Sequence, residues 1–244
     1  MPVLPQILWG VLLPAVVAAL VILLWGRRNA AAAIAAGVAV GHAAGVIALW
    51  GRPPFPAIDS GDWIFWFALA AAAAAAIPVT ARPRRLLDAA IAAGFALLLL
   101  RPFLADASVL HKTAVIAGGS ASVLAVWWPL ERLSSGASPR FASVVLWAAP
   151  AGMSIALVFA RSARLGQQAG MVAAAIGAAA VLAWFEERVR FGRGSLGPYA
   201  LVLAGVGLYG IFYYLSWVFF VLIGLALIAA FAVRALVKIG RAHV

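Results

Sequence analysis

The sequence has 244 residues, of which 66% are hydrophobic and only 10% are charged, whereas a soluble domain usually carries about 25% charged residues. Because so few charges cannot cover a water-soluble fold, we predict that lipid solvates most of this chain. The net charge of +11 would suggest nucleic-acid binding in a soluble protein, but here the basic residues lie in short clusters between apolar runs, which indicates membrane topology and no nucleic-acid partner.

The predicted fold class is all-α: a polytopic integral membrane protein with about nine transmembrane helices, one membrane domain and no soluble domain. In lipid, backbone groups must pair within a segment, and long Ala-, Leu- and Val-rich runs can do this only as helices. Charges, prolines and Gly/Ser clusters divide the chain into nine apolar runs, each close to the ~20 residues that a bilayer requires. They lie near 7–25, 30–50, 63–80, 86–104, 113–130, 141–160, 166–185, 197–214 and 216–237.

The distribution of Lys and Arg predicts the orientation of these helices. When the loops alternate between two sides, 13 of the 18 Lys and Arg residues fall on one side, which the positive-inside rule assigns to the cytoplasm. We therefore expect the N-terminus outside and the C-terminus in the cytoplasm of a cell membrane such as the bacterial inner membrane. An eight-helix chain would place Arg234, Lys238 and Arg241 on the far side, so the count favours nine.

Two prolines fall inside predicted helices. Pro14 and Pro150 lie within the first and sixth runs, and proline removes one intrahelical hydrogen bond and crowds the preceding turn. Both helices are therefore expected to bend.

The second run contains the histidine that we place near the bilayer centre. An ionisable side chain inside a membrane suggests a function by default, so His42 is a candidate for proton transfer or substrate binding; a neutral histidine bonded to a neighbouring helix is the alternative. The same helix carries Gly37, Gly41 and Gly45 at four-residue spacing, a pattern that lets another backbone approach closely. That backbone belongs either to this chain or to another subunit.

The loop after the second run is rich in proline and acidic residues. Asp62 directly precedes the third run and is expected to cap its helix. The alternative is a cation site formed by Asp59, Asp62, Asp106 and His111, all of which fall on the external side.

The segment Gly118-Gly119-Ser120-Ala121-Ser122 resembles the Gly-x-Ser core of intramembrane rhomboid proteases, in which a serine on a helix pairs with a histidine. The resemblance covers only these residues: rhomboids carry Gly-x-Ser-Gly with the histidine on a later helix, whereas here Ala121 replaces the glycine and His42 precedes the serine. It implies serine-hydrolase chemistry. Close packing of small residues is the alternative explanation.

The remaining candidate binding residues are polar and lie near the start of the seventh run. Gln167 and Gln168, with Arg161 and Arg164, could bind a substrate carboxylate or an anionic headgroup, or simply anchor the helix at the interface. On the other side, Asp88 lies one helical turn after Arg84 and is expected to form a local ion pair.

Three function classes remain open. The sequence favours a non-catalytic membrane subunit or scaffold that packs against other membrane proteins or forms a homo-oligomer, because its loops are short and small residues abound. The alternative is a transporter or channel for a lipidic or small neutral solute, using His42, Gln167 and Gln168. An intramembrane enzyme is the third class and is not expected. With no cysteine and no histidine–carboxylate spacing that requires a metal, we predict no cofactor and no metal.

Overall fold

The computed structural model describes residues 3–186 and 189–213, and within them every regular element is a helix. Six of these helices are long and apolar enough to cross a membrane, while α3 and α8 are shorter. The predicted run 216–237 lies outside the described residues. The helices are α1 (Leu4–Trp25), α2 (Ala30–Trp50), α3 (Trp63–Ala76), α4 (Ala81–Leu100), α5 (Val109–Ser135), α6 (Pro139–Phe159), α7 (Ala163–Phe185) and α8 (Gly197–Tyr213).

Each of the first eight predicted runs overlaps one helix. Several helices begin or end at other residues than predicted, because of local sequence signals. Asn29 begins α2 because its side chain accepts a hydrogen bond from the Ala32 N–H at 3.0 Å, as N-cap residues do. The third helix ends at Ala76, before the predicted 80, because Pro78 favours extended backbone at Ile77. Conversely, α4 begins at Ala81 instead of 86, since a proline in the first helical turn loses no intrahelical hydrogen bond.

The fifth helix is much longer than predicted. The Ser108 hydroxyl accepts a hydrogen bond from the His111 N–H at 3.3 Å and caps its start, and the helix continues past Pro129 to Ser135. The prediction that it ends at 130 is wrong, and the consequence is that Glu131 lies within a helix rather than in a loop.

Pro14 changes the geometry of α1. A π-helical turn occupies Leu8–Leu12 and ends two residues before this proline, and such turns are one way in which a helix absorbs a disrupted hydrogen-bond ladder. Pro150 lies inside α6, which is helical throughout Pro139–Phe159.

Two helices occupy the centre of the bundle. α2 packs against α1, α3, α7 and α8, while α8 packs against α3, α5 and α7. Around α8 the largest buried side chains are Trp127, Tyr199 and Phe95, and the Tyr199 hydroxyl donates to the Leu146 carbonyl at 2.8 Å. α5 lies at the edge: it packs mainly against α4 and α8, so most of its surface is exposed.

The bundle has two distinct ends, each held by polar contacts. We call the end that carries the 26–29, 77–80, 136–138 and 186–196 connections the basic end, because most Lys and Arg residues of the described loops lie there. The opposite end carries the 51–62, 101–108 and 160–162 connections.

Candidate functional site

His42 lies in the interior of the bundle and is fully buried. Neither ring nitrogen has a hydrogen-bond partner in the part of the chain that the structure describes. A buried polar group without a partner is costly, so His42 stays a candidate for binding.

Gly37, Gly41 and Gly45 face helices of this same chain. A Cβ atom added at Gly41 would lie 2.6 Å from the Pro14 carbonyl oxygen, and one at Gly45 would lie 2.9 Å from the Met171 sulfur. The groove that these glycines form is therefore filled by α1 and α7, which leaves no room there for another subunit.

The two glutamines of α7 differ in their surroundings. Gln168 is buried and its Oε1 has no hydrogen-bond partner among the described residues, whereas Gln167 is partly exposed. Both lie towards the opposite end, on the helix that packs against the glycine face of α2.

The acidic residues of the 51–62 loop bind an arginine. The Arg164 guanidinium contacts Asp62 at 2.7 Å and Asp59 at 3.3 Å, and the Tyr209 hydroxyl donates to Asp59 at 3.1 Å. The prediction that Asp62 caps α3 is wrong: its side chain makes no capping hydrogen bond, because the stronger interaction with a cation turns it towards α7. Asp59 instead accepts from the Gly61 N–H.

No group of three or more His, Asp or Glu side chains within residues 3–186 and 189–213 could bind a metal ion. The serines of the rhomboid-like segment also lack a base there: Ser120 donates to the Ile116 carbonyl at 2.6 Å and Ser122 to the Gly118 carbonyl at 2.8 Å. Both hydroxyls thus bond to their own helix, as serines inside helices often do.

The most developed site is a cavity of about 810 Å³ between α4 and α5 at the basic end, here named the α4–α5 cavity. Its size falls within the range of ligand pockets, about 300–1,000 Å³. Its wall combines charged side chains with a long apolar strip of α5. The lining residues are Ala81, Arg84, Arg85, Asp88, Ala121, Leu124, Ala125, Trp128, Pro129, Glu131, Arg132, Leu133, Ser135 and Arg193.

A buried ion pair lies on the α4 side of this cavity. Arg84 Nε donates to Asp88 Oδ1 at 3.0 Å, as the spacing of one helical turn predicts, and Arg84 Nη1 donates to the Ala74 carbonyl at 2.7 Å. These side chains are only 9% and 2% exposed. Arg84 therefore joins the start of α4 to the end of α3 while bringing a charge into the cavity wall.

Glu131 attaches the α7–α8 connection to this site. Its Oε1 accepts from the Trp127 indole N–H at 2.9 Å and from the Gly194 N–H at 2.7 Å. Gly194 has φ +82°, a conformation that favours glycine, and a Cβ atom there would lie 2.7 Å from Arg84 Nη2. Glycine is thus needed both for the turn and for its contact with the guanidinium.

Sequence reasoning missed this cavity. The predicted runs leave Glu131 just beyond the end of the fifth helix and Arg193 between the seventh and eighth, with nothing to bring either residue near Arg84. The available signal was the spacing of Trp127 and Glu131, four residues apart, since an indole N–H and a carboxylate one turn apart can bond. The approach of Gly194 to Glu131 depends on tertiary packing and leaves no local signal.

No protein-family model, curated protein or solved structure matches the chain.

Proposed function

We propose that this chain is a multi-pass membrane protein of the solute-binding or transporter class, which receives a lipidic solute in the α4–α5 cavity. The observation that carries the proposal is the cavity itself: about 810 Å³, with buried Arg84, Asp88 and Glu131 at one side and an apolar strip at the other. Convergent charged groups beside an apolar wall are typical of ligand sites.

The packing of α2 also supports this class. The scaffold hypothesis is based on short loops and abundant small residues, and the most regular set of these small residues, the glycine face of α2, contacts α1 and α7 of the same chain. The α4–α5 cavity, in contrast, stays open between helices of which one, α5, lies at the edge of the bundle. A solute that dissolves in the bilayer can therefore reach it laterally.

A bulky residue in the cavity tests the proposal. Wild-type protein isolated in mild detergent is expected to yield a co-purified lipidic compound on solvent extraction and mass spectrometry. Ala121→Trp fills part of the apolar strip and should reduce the extracted amount at least about tenfold. Ala114→Trp, on the exposed face of α5 outside the cavity, should leave it unchanged. Equal amounts from both variants at equal stability would refute the proposal.

The proposed topology is nine spans with the N-terminus outside. The clustering of basic residues at one end of the described bundle supports this orientation, because basic loops remain in the cytoplasm. Reporter fusions after Val244 and in the α3–α4 connection near Thr80 should both report cytoplasm. If the two fusions report opposite sides, the nine-span topology is wrong.

A scaffold or complex subunit is the second candidate, favoured by one feature of α5. A Cβ atom added at Gly118 would meet no atom within 4 Å, and Ala114 and Ser122, each four residues away, are exposed on α5. Small residues at this spacing favour contact between helices. Gentle isolation from native membranes separates the classes: a stoichiometric protein partner supports the scaffold, and a monomer that carries a lipidic compound supports solute binding.

A further inference from the structure

We infer that the α4–α5 cavity binds the phosphate-bearing headgroup of an anionic lipid, with an acyl chain against α5. The inference rests on the proposed function and specifies its ligand. It follows from the charges at the cavity, from the unsatisfied hydrogen-bond donor in its wall, and from the position of the apolar strip.

Positive charge exceeds negative charge around the cavity. Four arginines and two carboxylates line it, and one of each is used in the Arg84–Asp88 pair. Glu131 accepts hydrogen bonds from two N–H groups and, among the described residues, forms no salt bridge with an arginine. Across the described residues, Arg85, Arg132 and Arg193 line the cavity and form no salt bridge.

The buried Arg84 guanidinium also has one nitrogen that makes no hydrogen bond to the described residues. Arg84 Nη2 is buried and has no hydrogen-bond partner among residues 3–186 and 189–213, although the two other nitrogens of this guanidinium each donate one bond. An unsatisfied charged donor costs free energy. An anion in the cavity would lower this cost through its charge, and a small displacement of the Gly194 turn, which covers Nη2, would let it bond directly.

The chemistry of the cations favours phosphate over carboxylate. A guanidinium presents several N–H donors in a planar fork, and a phosphate offers enough oxygens to engage more than one such fork. A single carboxylate has two oxygens and is satisfied by one arginine. Three guanidinium groups around one cavity, none of them in a salt bridge within the described part of the chain, therefore match a phosphate group better.

The apolar part of the wall determines the source of that phosphate. Ala121, Leu124 and Ala125 line the cavity about two to three turns deeper in α5 than Arg132, so an acyl chain can extend along them while the headgroup stays near the basic end. Basic pockets between helices at the cytoplasmic surface are suited to anionic lipid headgroups. Free phosphate would make no contact with this strip, whereas a lipid uses both the basic and the apolar part of the wall, so we assign the ligand to the bilayer.

Binding of defined lipids to delipidated wild-type protein, measured by native mass spectrometry in mild detergent, tests the inference. Phosphatidylglycerol is expected to bind at least about tenfold more tightly than phosphatidylcholine with the same acyl chains. Arg85→Gln/Arg132→Gln should remove this preference. Arg28→Gln/Arg82→Gln removes the same charge from exposed positions at the same end, outside the cavity, and should preserve it. Inorganic phosphate should compete only weakly.

The outcomes separate this inference from the proposed function. If both lipids bind equally and neither double variant changes this, while Ala121→Trp still displaces them, the anionic headgroup is refuted and lipidic binding stands. If Ala121→Trp has no effect either, both fail. Effective competition by millimolar inorganic phosphate would show that the site takes the free ion and would overturn the assignment to a lipid.

Discussion

Replacing Gly41 with leucine is expected to prevent stable folding. A Cβ atom at this position would lie 2.6 Å from the Pro14 carbonyl oxygen, 3.2 Å from the Ala18 Cβ and 3.3 Å from the Ala175 Cβ. Because the nearest atom belongs to backbone, α1 would have to move away from α2. Overpacking of this kind usually costs about 1–3 kcal/mol and more when the neighbours cannot yield. Thermal unfolding in mild detergent measures the loss.

Gly118→Ala is the matched control for this variant. A Cβ atom at Gly118 meets nothing within 4 Å, and alanine is favoured over glycine inside a helix by about 0.5–1 kcal/mol, so this variant should be as stable as wild type or slightly more stable. If Gly41→Leu kept its unfolding temperature and appeared as a discrete smaller species, the glycine face would instead contact another subunit.

Replacing Asp88 with asparagine is expected to destabilise the protein by about 3–5 kcal/mol, the usual cost of removing one member of a buried ion pair. Among the described residues, Arg84 would remain buried without its salt-bridge partner, since its other hydrogen bond goes to the neutral Ala74 carbonyl. The asparagine has nearly the same shape, so the change reports charge rather than volume. The free energy of unfolding measures the effect.

The exposed ion pair at the opposite end provides the comparison. Asp59→Asn alters a pair whose side chains are 50% and 42% exposed, and water compensates for most of such an interaction. Its effect should stay within about 1 kcal/mol. Equal effects of Asp88→Asn and Asp59→Asn would mean that the Arg84–Asp88 pair is not buried.

Within the described residues, hydropathy predicted where the helices lie but was less accurate about their ends. Asn29 capped α2 as its side-chain chemistry suggests, and Pro78 ended α3 earlier than apolarity alone implied. The alanine-rich runs carry little information about faces, because a helix that is apolar on every side has no unique buried stripe. Which helices become neighbours therefore could not be derived from periodicity.

The candidate site was harder to predict because several of its contacts join residues that are far apart in the sequence. The local Arg84–Asp88 pair was predictable from its spacing, whereas the bond between Glu131 and Gly194 joins residues 63 positions apart. At Asp62 a local signal was misleading. Its position directly before α3 suggested a helix cap, but its carboxylate forms an ion pair with Arg164 of α7 instead. Long-range charge contacts override local preferences where a partly buried carboxylate has a cation within reach.

Photoaffinity mapping tests the central claim, a lipidic solute in the α4–α5 cavity, most directly. A phosphatidylglycerol with a diazirine in its acyl chain would be crosslinked to the protein in nanodiscs, and the labelled peptides identified by mass spectrometry. We expect preferential labelling of the α5 strip around Ala121, Leu124 and Ala125, and reduced labelling in Ala121→Trp. Labelling spread evenly over the exposed faces of α1, α5 and α6, and unchanged in that variant, would contradict it.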